Sequence, residues 1–99
     1  MIIIEIENGL VLVGRSQDDN FKVIDHAKQL DFSTKIWFHA ATQSSAHVII
    51  LSNKKVPLKY GIELVKQYTP KLNSKEKIIY TDLKFVRKTN VPGQVLVSK

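Results

Sequence analysis

The sequence predicts one α+β domain: a mostly antiparallel sheet of about six strands in the order ββαββαββ, with two helices packed on it. Three observations lead there. Short apolar runs recur between turn residues, as strands require. Two longer stretches repeat their apolar residues at helical spacing. Short polar links join the strand pairs, and a short link makes neighbouring strands antiparallel. A chain of 99 residues has room for one core, so residues 1–99 read as a single domain.

Residues 2–7 (IIIEIE) read as a strand buried on both faces for most of its length. Asn8-Gly9 favours the tight hairpin turn that needs positive φ, and residues 10–14 (LVLVG) return as the second strand. Asp18 or Asp19 is placed to cap a helix over about residues 20–30. Phe21, Ile24, Ala27 and Lys28 fall at helical spacing there, with Val23 and Leu30 beside them. Residues 35–40 and 46–51 are strands joined by the polar loop 41–45. A symmetric hairpin centred near Gln43 sets Trp37 opposite Ile49 and His39 opposite His47. A slip of one residue would turn every side chain to the other face. Pro57 suits the first turn of a second helix reaching about Thr69, with Leu58, Gly61, Ile62, Val65 and Tyr68 as its apolar stripe. Residues 77–81 form a strand, 83–90 a basic connector, Val91-Pro92-Gly93 a turn, and 94–98 the last strand.

Composition narrows the chemistry. The absence of cysteine excludes disulfides, thiolate zinc sites and cysteine nucleophiles. The apolar opening lacks the basic region of a secretory signal, and no apolar run approaches the roughly 20 residues of a membrane span. The expectation is a cytoplasmic protein with no membrane partner. Net charge is +6 and unevenly spread. Residues 1–53 carry four basic and six acidic side chains (−2); residues 54–99 carry eleven basic and three acidic (+8). Such a half suits a polyanion, and it equally suits a plain solvated surface.

A series of motifs runs through the chain. Gly14-Arg15 closes the second strand and precedes a polar stretch holding Asn20. Trp37-Phe38-His39 comes next, then Ser44-Ser45-Ala46-His47-Val48, then Tyr80-Thr81, Val86-Arg87-Lys88 and Pro92-Gly93. In this order they resemble the NFACT-R domain, the RNA-binding module of the NFACT proteins of ribosome-associated quality control. The same domain opens a eukaryotic coiled-coil protein family. The likeness covers nearly the whole chain from Gly14 onward. It departs at Ser16-Gln17, where many members have Asn-Asn, at Lys35, where an acidic residue often stands, and at Leu51, where an Arg often stands. The NFACT N-terminal domain, helix-hairpin-helix segment and coiled coil are not in this sequence, so it corresponds to the module alone, stand-alone or as a fragment. The resemblance implies RNA as ligand, tRNA or ribosomal RNA, with the ribosome as the wider partner. It implies no cofactor and no catalysis by this domain, and it adds Asn20 to the RNA contacts.

The residues themselves give the other candidates. Arg15 stands before a helix N-terminus, where free N–H groups and the helix dipole favour a phosphate. Asp18 and Asp19 compete for the same donors, and an arginine paired with one of them is the alternative. Lys84, Arg87 and Lys88 form a basic step suited to phosphate contact, and Lys54, Lys55 and Lys59 extend it. Trp37 and Tyr80 read as core ahead of base-stacking platforms. His39 and His47 have three readings: satisfied structural histidines, hydrogen-bond partners of phosphate or ribose, or metal ligands. The metal reading has only His26 and scattered carboxylates to complete it. Ser44 and Ser45 read as donors to backbone or phosphate at the hairpin end. A hydrolase built from them and a histidine lacks the nucleophile elbow and an acid partner. The alternatives to RNA are an acidic protein partner and DNA.

Overall fold

A strand without an exposed residue organises the fold. In the computed structural model, which describes residues 1–91 and 94–98, the segment His47–Ser52 is buried at every position. It is the middle of a five-stranded sheet made of β1 (Ile2–Ile6), β2 (Gly9–Gly14), β3 (Thr34–Ala40), β4 (His47–Ser52) and β5 (Ile78–Asp82). The order across the sheet is β1-β2-β4-β3-β5, with all neighbours antiparallel. Helix α1 (Gln17–Gln29) covers one face and helix α2 (Leu58–Gln67) the other. After β5, a 3-10 turn (Leu83–Phe85) leads into a two-stranded ribbon, β6 (Val86–Lys88) and β7 (Val95–Val97). The turn and the ribbon pack on the α1 side through Leu83, Val86 and Val95. The chain is thus α+β, with seven strands among the described residues, split between two sheets where the sequence suggested about six in one.

Helices on both faces explain the strand compositions. Val11, Val13, Val48 and Ile50 face α2, while Leu12, Ile49 and Leu51 face α1. A strand covered on both sides loses the polar alternation of a half-solvated one. Each such side chain, taken wholly out of water, contributes about 1.5–3 kcal/mol. Double burial was expected of the first strand, but there it fails. β1 is an edge strand whose Ile2, Ile4 and Ile6 face the α2 core, while Ile3 is 52% exposed because α1 does not reach over it.

Several boundaries move for identifiable reasons. Gly9 pairs with Ile6 on one side and Ser52 on the other, so it belongs to the sheet. The hairpin turn therefore falls on Glu7-Asn8, and Asn8 alone takes the left-handed conformation (φ 65°). Ser16 caps α1 in place of an aspartate, its hydroxyl accepting the Asp19 N–H at 3.1 Å. The buried face of α1 is Asn20, Val23, Ile24 and Ala27, with Phe21 at its margin. Pro57 takes the N-cap position of α2, one residue before the helix, and Leu64 joins Gly61 and Val65 on the buried face while Leu58 stays exposed. The basic connector is not featureless, since Leu83 and Val86 are core residues and fold it into a turn and a strand. The hairpin register agrees with the sequence reading: Trp37 pairs with Ile49. The expected turn at Pro92-Gly93 lies outside the described residues. Among those residues no helix is long and apolar enough to cross a membrane.

Gly61 decides how closely α2 approaches β3. A Cβ at Gly61 would run into the Phe38 ring, which is itself fully buried. Overpacking of this kind costs about 1–3 kcal/mol. Gly61→Val is expected to lower stability by about 2 kcal/mol in urea unfolding. An unchanged midpoint would mean that the helix can retreat without loss.

Candidate functional site

The candidate site lies at one end of the sheet, where β2 and β3 finish and β4 and β5 begin. It grows from the hairpin. The register carries Trp37 and His39 along one face of β3, with His47 beside them on β4. Trp37 is 2% exposed, and its Nε1–H donates to His47 Nδ1 at 3.1 Å. His47 Nδ1 must then be an acceptor, which makes the ring neutral with its proton on Nε2. Burial, with a smaller contribution from neighbouring His39, pushes the His47 pKa down to about 3. His39 stacks flat on Trp37, with centroids 5.4 Å apart, and meets His47 edge-on at 4.7 Å. Its Nδ1–H donates to the Ala40 carbonyl at 2.7 Å. Burial lowers its pKa as well, against the opposing pull of that carbonyl and of Glu76. Both rings are thus held neutral. Among the described residues no cluster of His, Asp or Glu is arranged to hold a metal.

Above the histidines the 41–45 loop is braced from several sides. Ser45 Oγ accepts the Ala40 N–H and donates to the Ala46 carbonyl, both at 3.0 Å. Its proton goes to backbone and not to an imidazole. The Ala46 N–H donates to Thr69 Oγ1 at 2.9 Å. Thr42 gives its N–H and its hydroxyl to the Glu76 carboxylate, each at 2.6 Å. These bonds hold the Glu76 carboxyl below its usual range. Ser44 is exposed at the tip.

The loop, the start of α1 and the segment after α2 enclose a groove of about 870 Å³. Arg15, Asn20, His39, Ser44, Ser45 and His47 all line it, so six of the sequence-selected residues meet in one place. Gly14 makes the corner possible: a Cβ there would lie 2.7 Å from Asn20 Oδ1 and 3.0 Å from Asn20 Cα. Arg15 is exposed, and its guanidinium has no ion-pair partner among the described residues. Its nearest aromatic neighbour is Tyr68, whose ring centre is 6.0 Å from Cζ. Asp19 approaches only the Arg15 backbone N–H, at 3.4 Å.

The other sequence-selected cations do not join this groove. Lys54 and Lys55 line a smaller depression at the far end of the sheet, with Asn8 and Pro57. Lys88 is paired to Asp25 at 2.8 Å and lies over the Phe21 ring. Lys84 lies over Phe85. Arg87 is exposed on the ribbon. The sequence missed Lys71, Tyr68 and Ile79, which line the groove from the segment after α2, the end of α2 and β5. No motif marks them. Tyr80, read as core, is 48% exposed, because β5 is the other edge of the sheet.

No family model matches the chain, and no curated protein does. Among solved structures, the C-terminal part of the fibronectin/fibrinogen-binding protein of Streptococcus suis has the same fold. It superposes with TM-score 0.73 over 92% of this chain at 18% identity. This chain spans 38% of the length of that one. Identity that low speaks for the fold alone.

The buried histidine predicts a pH dependence. The unfolded chain protonates His47 near pH 6.5, whereas the folded chain resists until about pH 3. Unfolded molecules therefore bind more protons between those values, and stability falls as pH drops through that window. One such group contributes a slope of about 1.4 kcal/mol per pH unit. His47→Gln is expected to flatten the slope of stability against pH between 6.5 and 4 relative to the parent. Parallel slopes for the two proteins would show that His47 is not the group responsible.

Proposed function

We propose that this domain is a non-catalytic RNA-binding module of the NFACT-R type, which grips phosphate backbone in the groove between the 41–45 loop and the start of α1. The observation that carries the reading is Arg15. It is exposed, free of an ion pair among the described residues, and set at the corner where α1 begins, with Lys71 across the same groove. Cations left without carboxylate partners around one depression suit a polyanion. The resemblance supplies the ligand class, tRNA or ribosomal RNA, and a translation-related cytoplasmic setting. Asn20, Ser44 and His39 contribute polar groups to the same lining. Arg87, exposed on the ribbon, extends the contact outside the groove.

A second reading is a protein-binding surface. Tyr80 (48% exposed) and Leu96 (63% exposed) lie outside the groove and favour it. Fibronectin and fibrinogen, named for the longer Streptococcus suis protein, are partners of that kind. Competition between tRNA and an acidic polypeptide for the same domain separates the two, and DNA of matching sequence tests the choice of nucleic acid.

Affinity for tRNA is expected to fall steeply between about 50 and 200 mM salt. Arg15→Ala and Lys71→Ala should each weaken binding about tenfold and reduce the salt slope by about one, with melting temperature unchanged. Lys54→Ala combined with Lys55→Ala should have little effect, since both lie at the far end of the sheet. Binding indifferent to salt, or equally sensitive to the far-end pair, would overturn the assignment.

A further inference from the structure

The groove is not lined as a duplex-binding surface would be. Ile79 is 42% exposed, Val97 38% and Val91 54%, and all three line it. A duplex offers phosphates and sugars to a surface and keeps its base faces stacked inside, so an apolar wall gains nothing from it. An unpaired base has an apolar face to bury.

The sheet register shows where that face would lie. His39 pairs with Ile79 on β5, so both project from the same side of the sheet. The row His47, His39, Ile79 crosses β4, β3 and β5 from fully buried through half-buried to exposed. One face of the His39 ring rests on Trp37 at an interplanar angle of 6°. β3 runs from Trp37 toward the 41–45 loop, so the other face of His39 is turned to the loop end of the groove. At the cationic side of the same groove, Asn20 is 8% exposed and its Oδ1 has no hydrogen-bond partner. That oxygen lies against Gly14, so the corner beneath Arg15 is tightly packed and the polar contact to a ligand is left to the cations.

Resting on the RNA-binding reading above, we infer that the groove takes a short single-stranded RNA segment, its phosphates at Arg15 and Lys71 and one unpaired base against His39 and Ile79. Recognition then has two separable parts. The cations hold the backbone, and the His39–Ile79 rung selects unpaired over paired nucleotides.

The test uses the single tryptophan. Trp37 is stacked, with an offset, on His39, so its fluorescence reports occupancy of the base position. The protein is titrated at low salt with an unstructured oligo(U) and with a duplex RNA of the same length. The single strand is expected to bind at least fivefold more tightly and to change Trp37 emission, as the loss or gain of one stacked base requires. Ile79→Ser, at an exposed position, should lower single-strand affinity about fivefold and leave duplex affinity unchanged. His39→Leu serves as a second variant on the same rung. Equal affinity for both RNAs, or an Ile79→Ser protein that binds the single strand as before, overturns the inference. If Arg15→Ala still weakens binding in that case, the backbone reading survives alone; if neither RNA binds, both fall.

Discussion

β4 has no face left for water, and most of the structure follows from that. Helices cover it on opposite sides, β2 and β3 flank it, and its first residue is a histidine. A histidine buried so completely must be neutral and must find a partner for its ring nitrogen. Trp37 supplies the partner from the neighbouring strand. That one hydrogen bond ties the two strands at the end where the loop begins. It also fixes the tautomer of His47 and makes a flat base on which His39 rests. The floor of the groove is thus a consequence of satisfying a buried polar group.

The walls have a different origin. They come from short chain segments tied to one another by side-chain hydrogen bonds: Thr42 to Glu76, Ala46 to Thr69, Ser45 across the hairpin neck. Bonds to a carboxylate are stronger than neutral ones and hold the rim before any ligand arrives. A preorganised rim spares the ordering cost that a flexible loop would incur on binding.

The basic half of the chain has less to do with this site than its charge suggests. Lys88 is engaged by Asp25, a contact that fastens the ribbon to α1. Lys54 and Lys55 lie at the other end of the sheet. What distinguishes Arg15 is its place: at the corner of the groove, and in the weakly acidic half of the chain. Net charge thus overstated the number of cations that converge on the groove, which is lined by Arg15 from one half and Lys71 from the other. The likeness of fold to part of a longer Streptococcus suis protein leaves that distribution open, since surface charge is not a property of the fold.

The sequence by itself determined the elements that depend on near neighbours. Polar residues at 41–45 between two apolar runs set the register of Trp37 against Ile49, and apolar spacing placed both helices within a few residues of where they stand. Five of the groove residues were legible because they sit in compact motifs at strand ends, and the sixth, Asn20 in α1, was named through the resemblance. Tertiary structure decided the rest. Gly9 left the turn because pairing on both sides drew it into the sheet, and Ile3 and Tyr80 stayed exposed because their strands became edges. Lys71 and Ile79 reached the groove only because two helices packed on opposite faces of one sheet and brought distant segments to the same end. Periodicity records which face of a strand or helix is buried; it carries no record of which exposed side chains, far apart along the chain, that burial brings together.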